Sequence, residues 1–451
     1  MSADTAGVLR GAVTAAARPR APARTPTLIV EAGRLFTGRE VLRDVRVVIA
    51  GDTIVAVEPC AAPLVAHGAP QGACRVLTFP EATALPGLID AHVHLYLLAR
   101  AALKASQPAS GNGAPARRAG GTDAGALLAA AIQVADDYLA RGVTTLRDMG
   151  DRQRLNLQVR QVLAERAAGG RPGPRLLAPG RALHRDGSYG SFIGAAATGG
   201  NGLLALADEE LDAGADFVKV IASGIIDFQR AAVTAPVPFT SRELRTLVDR
   251  VHARGKPVAA HASGAAGVAA AVAGGADFLE HGFFAEDGPH GSTAFRRGDC
   301  TWVPTFIPVE VVATGAALAE LTDGERARVH GIVQRHAALL RAVHVAGGAA
   351  IAGSDAGSPG VWQAGGVMGE LRCFHRAGLP LRAVLPMATL RAAQVLGIGH
   401  LTGSIESGKQ ADLLVVAGDP LESLDALSDV RLVVRDGVPV AEAVPLAASP
   451  A

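Results

Sequence analysis

Residues 240–261 read TSRELRTLVDRVHARGKPVAAH, and this stretch holds one repeat of the pattern that decides the fold. Its first part predicts a helix over 241–254, because Thr240 and Glu243 have the spacing of a capping box. A strand-like run at 257–261 follows the helix, and another at 216–222 precedes it. The stretch therefore predicts a strand–helix–strand unit with parallel strands.

The same alternation extends over residues 85–397. Strand-like runs lie at 85–94, 143–148, 175–183, 216–222, 257–261, 276–280, 301–304 and 349–354. Helix-like stretches lie at 124–141, 152–168, 241–254, 264–273, 323–346 and 380–396. A second capping box, Thr322 with Glu325, begins one of these helices. Eight strands with covering helices predict an α/β fold, a (β/α)8 TIM barrel. A doubly wound sheet is the alternative, but no GxGxxG motif follows the first strand.

Both ends of the chain carry β-type patterns outside this alternation. Runs rich in β-branched residues at 27–31 and 45–56 are matched by runs at 412–416 and 430–438. We expect the two ends to form one small β-sandwich domain that is discontinuous in sequence. The predicted organisation is a disordered tail over 1–25, the β-sandwich domain over 26–84 and 398–445, and the barrel over 85–397.

Composition excludes several classes of protein. A chain that is 49% hydrophobic and 19% charged is too apolar to be disordered, and a net charge of +1 offers no footprint for nucleic acid. No apolar run approaches the roughly 18 residues that span a membrane. The four cysteines have no CxxC or framework spacing, which favours a reducing compartment. We therefore expect a cytoplasmic protein without nucleic-acid or membrane partners. We also expect a homo-oligomer that acts on a small-molecule substrate.

Five of the predicted strands end in a residue that can bind or bridge a metal. Because alternate strand residues point to the same side, His92 and His94 aim together, as two ligands of one ion require. Lys219 lies in an apolar run, where an ammonium is costly to bury unless it is paired or chemically altered. Each residue alone fits a packed or surface position, but the set fits divalent zinc, manganese, nickel or iron. The full set is His92, His94, Lys219, His261, His281 and Asp355.

This set and its flanking segments resemble the amidohydrolase superfamily of metal-dependent hydrolases, in its imidazolonepropionase-like and Xaa-Pro-dipeptidase-like branch. The resemblance extends from about residue 27 to 440. The segments that carry it are Pro86-Gly-Leu-Ile-Asp-Ala-His-Val-His94, Gly142-Val-Thr-Thr-Leu-Arg-Asp148, Val258-Ala-Ala-His-Ala-Ser-Gly264, Glu280-His-Gly282, Gly353-Ser-Asp-Ala-Gly357 and Gly403-Ser-Ile-Glu-Ser-Gly-Lys-Gln-Ala-Asp-Leu413.

The resemblance implies a TIM barrel beside a β-sandwich and a centre of two divalent metal ions, with zinc expected first. It implies that CO2 converts Lys219 to a carbamate that bridges the two ions. His92, His94 and Asp355 would hold the first metal, and His261 and His281 the second. A bridging hydroxide would attack the substrate carbonyl, while Asp355 would accept the proton and pass it to the leaving nitrogen.

Further residues follow the predicted strands, where loops line the active-site face of a barrel. His184 ends the third strand, and we expect it to be a catalytic group that hydrogen-bonds the substrate, with a surface histidine as the alternative. Tyr189, Arg185 and Arg230 lie in strand-following loops and are candidates to bind a substrate carboxylate. The Gly-rich loops 106–123 and 186–202 are candidate lids.

Three functions remain open at this point. The first is a binuclear metal-dependent hydrolase that cleaves an amide-type C–N bond, as in an N-acyl amino acid or a dipeptide-like small molecule. The second is a hydrolase of a cyclic amide, carbamate or lactone, and the third is a non-catalytic scaffold on the same fold. The segment Pro359-Gly-Val-Trp-Gln-Ala-Gly-Gly366 lacks the histidine of dipeptidase-like relatives, which disfavours a dipeptidase.

Overall fold

The structure is a computed structural model that describes residues 28–62, 74–105, 123–285, 293, 295, 300–361 and 366–442. The predicted tail over 1–25 lies outside the described residues. So does the candidate lid 106–123, apart from Asp123, which caps the helix that follows it through its carboxylate.

The described secondary structure comprises 18 strands and 11 α-helices, with three short 3-10 helices at Ala316–Glu320, Leu385–Ala388 and Leu424–Ser428. The strands are β1 (Leu28–Phe36), β2 (Val41–Ala50), β3 (Thr53–Pro59), β4 (Arg75–Pro86), β5 (Leu88–Val93), β6 (Val143–Asp148), β7 (Arg175–Leu177), β8 (Ala182–Arg185), β9 (Gly194–Ala197), β10 (Val218–Ile221), β11 (Ile226–Asp227), β12 (Ala232–Val233), β13 (Val258–Ala262), β14 (Phe278–His281), β15 (Thr301–Val303), β16 (Leu413–Ala417), β17 (Val430–Arg435) and β18 (Val438–Glu442). The α-helices are α1 (Leu95–Ala105), α2 (Ala124–Ala140), α3 (Leu155–Ala168), α4 (Gly199–Asp212), α5 (Ser241–His252), α6 (Gly264–Gly274), α7 (Ile307–Thr314), α8 (Asp323–Val345), α9 (Gly366–Arg376), α10 (Leu381–Val384) and α11 (Leu390–Val395).

Strands from both ends of the chain form a seven-stranded sheet in the order β18-β17-β16-β4-β1-β2-β3. The sequence predicted one small β-sandwich domain built from both chain ends, and in the structure these strands form one continuous hydrogen-bonded sheet, because β4 pairs with both β1 and β16. Its two faces are both buried: Leu413 and Val415 belong to the core of the small domain, while Leu414 and Val416 pack in the main core. Alternation along a strand explains this division of side chains.

The central part of the chain forms two parallel sheets, β5-β6-β7 and β15-β14-β13-β10-β8-β9. Segment 349–356 hydrogen-bonds to both of them, with Ile351 N donating to Trp302 O at 3.0 Å and Ala91 N donating to Ala352 O at 3.0 Å. The prediction of a mixed α/β fold with a second domain is confirmed. Closure of these strands into an eight-stranded barrel stays a prediction, and so do the domain boundaries.

Four local predictions are wrong. The run 349–354, predicted as a strand, forms only an isolated bridge between Ala350 and Trp302 beside the hydrogen bonds given above. The run 175–183 forms two strands that belong to different sheets, β7 and β8, with Gly180 between them at a φ of +74°. The predicted loop 186–202 contains β9 and the start of α4. Gly194 lets β9 approach β8 closely, since a Cβ there would lie 2.0 Å from Ala182 O. The predicted helix 380–396 is broken into α10, a 3-10 turn and α11 around Pro386, which has no N–H to donate.

Both predicted capping boxes are confirmed, at Thr240 with Glu243 and at Thr322 with Glu325. In each, the threonine hydroxyl accepts from the glutamate N–H and the glutamate carboxylate accepts from the threonine N–H. Among the described helices, none has the length and hydropathy needed to cross a membrane.

An apolar layer fills the space between the parallel strands below their carboxyl ends. It comprises Ile89, Ala91, Met149, Leu177, Phe217, Ala259, Phe278, Val303 and Ile351. Polar side chains come one to six residues later along several of these strands. Because the carboxyl ends of parallel strands meet at one edge, this arrangement gathers the polar residues above a dry layer.

A buried ion cluster joins the seven-stranded sheet to the parallel strands. The Asp412 carboxylate accepts from Arg435 Nη1 at 2.9 Å and from Arg175 Nη1 at 3.2 Å, and Arg175 belongs to β7. Two positive charges around one carboxylate hold the pKa of Asp412 below its usual value, although burial opposes the shift. Removing the carboxylate would leave both guanidinium groups without this counter-charge.

We expect Asp412→Ala to lower the free energy of unfolding by about 3–5 kcal/mol, because a buried charge loses its partner. The measurement is chemical denaturation followed by circular dichroism. Asp425→Ala is the matched control, since Asp425 pairs with Arg372 at 3.1 Å but its side chain is 84% exposed. The control should change stability by less than about 1 kcal/mol. Equal effects of the two substitutions would contradict a structural role for the Asp412 cluster.

Candidate metal centre

The six residues predicted at the strand ends all line one cavity of about 520 Å³. They come from β5 and the residue after it, from β10, β13 and β14, and from the segment that follows Ile351. All of them are buried, with relative exposures from 1% for His92 to 8% for His281 and Asp355. The sequence thus predicted a set of residues that the fold brings together from distant parts of the chain.

Asp355 lies at the centre of the imidazoles. Its Oδ1 is 3.3 Å from His92 Nε2 and 3.3 Å from His94 Nε2, and its Oδ2 is 3.9 Å from His281 Nδ1. The ring centroids of His261 and His281 are 4.5 Å apart, and those of His92 and His281 are 4.9 Å apart. His92, His281 and Asp355 each offer a ligand atom within 4.8 Å of the others, which is close enough to hold one ion.

The backbone departs from regular strand geometry where these residues lie. The register of β5 against β6 shifts between Asp90 and Val93, so one extra residue bulges beside His92. His281 and Asp355 both have left-handed backbones, with φ of +69° and +52°. Non-glycine residues rarely adopt this conformation, and it clusters at functional sites because the surrounding structure must hold it. The backbone therefore departs from extended strand conformation at the positions of these polar residues.

The carboxylate of Glu280 fixes the orientation of His92, and sequence reasoning missed this role. Glu280 Oε2 accepts from His92 Nδ1 at 2.7 Å, and its Oε1 accepts from Arg147 Nη2 at 2.6 Å. Burial opposes ionisation, but Arg147, Lys219 and His92 together lower the pKa of Glu280 to about 2. The sequence signal was weak, since Glu280 belongs to the segment Glu280-His-Gly282 and Arg147 to the segment Gly142–Asp148, and neither segment indicates that the two side chains pair.

Because a carboxylate only accepts, His92 must carry its hydrogen on Nδ1, which leaves the Nε2 lone pair directed toward Asp355. Two acceptors 3.3 Å apart repel each other unless a proton or a metal ion lies between them. Burial lowers the pKa of His92, but the nearby charges of Asp355 and Glu280 raise it more. A positive charge between His92 Nε2 and Asp355 Oδ1 would therefore stabilise this pair.

Two further histidines of the cavity, His261 and His281, are also oriented by neighbours. Thr305 donates its hydroxyl to Pro304 O, so His281 Nδ1, 2.8 Å from that hydroxyl, donates to it. His261 Nε2 donates to the carbonyl of Gly224 at 3.2 Å. Burial, with the charge of Lys219, lowers the pKa of His261 to about 3, so the ring is neutral. Neutral imidazoles with one nitrogen fixed by a hydrogen bond are suited to metal binding through the other.

Lys219 is 1% exposed, and its Nζ has no hydrogen-bond partner among the described residues. Burial lowers the pKa of Lys219 to about 8, so an appreciable fraction is the uncharged amine near neutral pH. His92 Nε2 is likewise buried without a hydrogen-bond partner. Four imidazoles, a carboxylate and an unpaired amine on one cavity form a donor set that fits divalent metal ions.

Of the four other predicted site residues, Tyr189 lines the cavity, with its ring 5.4 Å from that of His261. The remaining three do not line it. His184 is buried, and its Nδ1 donates to Arg185 O at 2.9 Å, but it does not line the cavity. Arg185 pairs with Glu243 and stacks over Phe239 at 4.7 Å. Arg230 is 84% exposed and pairs with Asp227 at 3.1 Å. The structure brings none of these last three to the cavity wall.

Residues 83–440 match the amidohydrolase family. The chain is 26% identical over 381 residues to an ochratoxinase of Aspergillus niger, covering 77% of this chain and 73% of that protein. The crystal structure of that enzyme superimposes with a TM-score of 0.73 at 21% identity, over 93% of this chain and 96% of the other.

Two other solved structures are similar in fold and sequence. A Xaa-Pro dipeptidase with bound methionine has a TM-score of 0.74 at 25% identity, covering 91% of this chain and 99% of the dipeptidase. A prolidase complexed with N-methylphosphonate-L-proline has a TM-score of 0.70 at 25% identity, covering 91% and 98%.

Glu280→Gln tests whether the buried carboxylate orients a metal ligand. We expect metal affinity to fall about 10–100-fold, because loss of such an orienting partner has this typical effect. Competition with a chromogenic chelator measures the affinity. Glu442→Gln is the control, since Glu442 pairs with Arg75 on the surface at 2.7 Å. A change of less than about threefold would show that His92 keeps its orientation without the Glu280 charge.

Proposed function

The chain belongs to the amidohydrolase family, and from this we propose that it is a binuclear metal-dependent hydrolase of an amide C–N bond in a small molecule. The observation that carries the proposal is the approach of His92 Nε2 to Asp355 Oδ1 in a buried site, where two acceptors need a cation between them. The relatives named ochratoxinase, Xaa-Pro dipeptidase and prolidase support hydrolysis as the reaction class.

We propose that the two parallel sheets and segment 349–356 close into a (β/α)8 barrel. Hydrogen bonds on both sides of this segment support closure between β15 and β5. On the other side, Asp216 N donates to Ala178 O at 2.9 Å, which links the end of β7 to the start of β10. A ring of strands would set all six ligands at one rim, where enzymes of this architecture have their active sites.

In the proposed centre, His92, His94 and Asp355 would hold one ion, while His261 and His281 would hold the other. Lys219 would supply a further anionic ligand if its amine reacted with CO2, which would form an N–C bond, give a carbamate and release one proton. The unpaired Nζ and its lowered pKa favour this reaction, because the uncharged amine is the reactive form. Zinc is the first candidate metal, and manganese, nickel and iron have compatible ligand preferences.

Two divalent ions, when bound, would lower the pKa of a water molecule and polarise the amide carbonyl. The chain itself supplies the proton transfer and the positioning. Asp355 accepts a proton from the attacking water and donates it to the departing nitrogen, so that a carboxylic acid and an amine are the products. Glu280 and Thr305 hold His92 and His281 in fixed orientations throughout.

We propose that the substrate is an N-acyl amino acid or a dipeptide-like amide. The names of the similar dipeptidase and prolidase support an acyclic amide over a cyclic amide, carbamate or lactone. The buried ligand set is complete, and this supports an enzyme over a non-catalytic scaffold.

Lys219→Ala should reduce bound metal from about two ions per chain to one or fewer, because the bridging group is lost. Plasma mass spectrometry of the purified protein gives the metal content. Lys256→Ala is the control, since Lys256 does not line the cavity. Added short carboxylic acids should restore part of the metal binding to the alanine variant. Two tightly held ions in Lys219→Ala would refute the bridging role.

Asp355→Asn should retain at least one metal and lose about 10²–10⁴-fold in kcat, because an amide cannot accept the proton. Asp425→Asn on the surface serves as the control, and its kcat should stay within twofold, roughly the scatter expected of an exposed site. The assay follows release of the carboxylic acid from metal-loaded enzyme. A loss of less than about fivefold would place proton transfer on another group.

A further inference from the structure

Apart from the metal-ligand set, the described lining of the cavity is almost wholly uncharged and apolar. Its polar side chains are the hydroxyls of Tyr189, Ser263 and Ser358. No arginine, no glutamate and no second lysine lines the cavity within the part of the chain that the structure describes. A ligand that enters this space leaves water for a surface whose described residues offer no counter-charge outside the proposed metal ligands.

The apolar lining forms two walls that belong to separate hydrophobic clusters. The first wall comes from α1 and the segment after β8, and it comprises Leu97, Tyr189 and Ile193. The second comes from the β11–β12 hairpin, the segment after β14, and α7, and it comprises Ile226, Phe228, Phe283 and Val312. Because the two walls rest on different parts of the fold, the cavity presents two apolar surfaces beside the metal ligands.

The mouth of the cavity is apolar as well. Phe192 is 36% exposed and Ile225 is 40% exposed, and both residues line the cavity. The large hydrophobic residues exposed elsewhere in the described chain are Val76 and Val345. An exposed apolar rim around a buried polar centre is typical of a binding site for apolar ligand groups.

The arginines predicted to meet a substrate carboxylate are already engaged. Arg185 donates to Glu243 and to the carbonyl of Pro238, and its guanidinium lies over Phe239. Arg230 is bound to Asp227 and faces solvent. A substrate carboxylate in the cavity would therefore lose its hydration without gaining a guanidinium partner from the described residues, which disfavours its binding.

We propose that the substrate of this site is an uncharged amide with a bulky apolar group on each side of the scissile C–N bond. This inference rests on the proposed amide hydrolysis, and it replaces the N-acyl amino acids and dipeptide-like amides named above, which carry a carboxylate, with neutral amides. An amino-acid carboxylate next to the scissile bond weakens binding, whereas its absence or its conversion to an ester or amide strengthens it. The buried Ser263 Oγ, which has no hydrogen-bond partner among the described residues, and the Tyr189 hydroxyl suit the neutral polar atoms of such an amide.

A matched pair of compounds tests the proposal. N-benzoyl-2-phenylethylamine and N-benzoyl-L-phenylalanine share both aromatic groups and the amide, and they differ by a single carboxylate. We expect metal-loaded enzyme to release benzoate from the neutral compound with a kcat/KM about tenfold higher or more, because the carboxylate finds no partner. Calorimetry on the Asp355→Asn variant, whose turnover is expected to be strongly reduced, measures binding of both compounds, and the same preference should appear in Kd.

An added cation should reverse the preference. Ile225→Arg places a guanidinium at the mouth of the cavity, and we expect it to improve Kd for N-benzoyl-L-phenylalanine about tenfold through a charge-assisted contact. Binding of the neutral compound should not improve. Val76→Arg is the matched control, because Val76 is an exposed valine on β4 outside the cavity. This control should leave both Kd values unchanged.

The outcomes separate this inference from the proposed function. If the neutral compound binds more tightly but neither compound is hydrolysed, the apolar site stands and the proposed reaction fails for these amides. If both are hydrolysed but the carboxylate compound binds equally well or better, the reaction stands and the inference is overturned. Failure of both compounds to bind at millimolar concentration would also overturn the inference, since the two walls would then not select apolar groups.

Discussion

The buried carboxylate of Glu280 is the interaction on which the rest of the centre depends. It bonds His92 through one oxygen and Arg147 through the other, and Arg147 Nε donates to Ala91 O at 2.7 Å. Three neighbouring regions, β14, β5 and β6, are tied together by these bonds. A single ionised group in this position would be very costly, but a carboxylate with a guanidinium and an imidazole donor is stable. The hydrogen bond between Glu280 and His92 also fixes which nitrogen of His92 faces Asp355. One contact therefore stabilises the fold and orients a proposed metal ligand.

Apolar and polar side chains occupy successive positions along the parallel strands, with the polar ones nearer the carboxyl ends. The lower layer is apolar and filled by residues such as Phe217 and Phe278, and the proposed ligands Lys219 and His281 follow two or three positions later. Low local dielectric strengthens every interaction among the ligands, and it explains why burial lowers the pKa of both Lys219 and His261. The left-handed backbones of His281 and Asp355 lie at this boundary. We infer that the closely packed layer below holds these strained positions in place.

Beyond the proposed metal ligands, the lining of the cavity is again mostly apolar. Its walls are built by segments outside the parallel strands, mainly the turn after β8 and the β11–β12 hairpin, together with α7. Loops tolerate change better than the strands that support them, so the candidate metal centre and the apolar cavity walls can vary independently. This division explains how similar proteins can be named for different amide substrates while sharing a fold.

The sequence by itself determined the strand–helix alternation, both capping boxes and the six strand-end residues, because these features depend on periodicity and spacing within a few residues. It misjudged the run 175–183 and the helix 380–396, where Gly180 and Pro386 interrupt otherwise regular patterns. Only the tertiary structure decided the pairing of His92 with Glu280, which are 188 positions apart, and the engagement of Arg185 by Glu243. It alone decided that the cavity walls are apolar, since Phe192 and Phe228 carry no local signal that they face the same space. Contacts between distant segments depend on how the elements pack, and no local pattern in the chain encodes that packing.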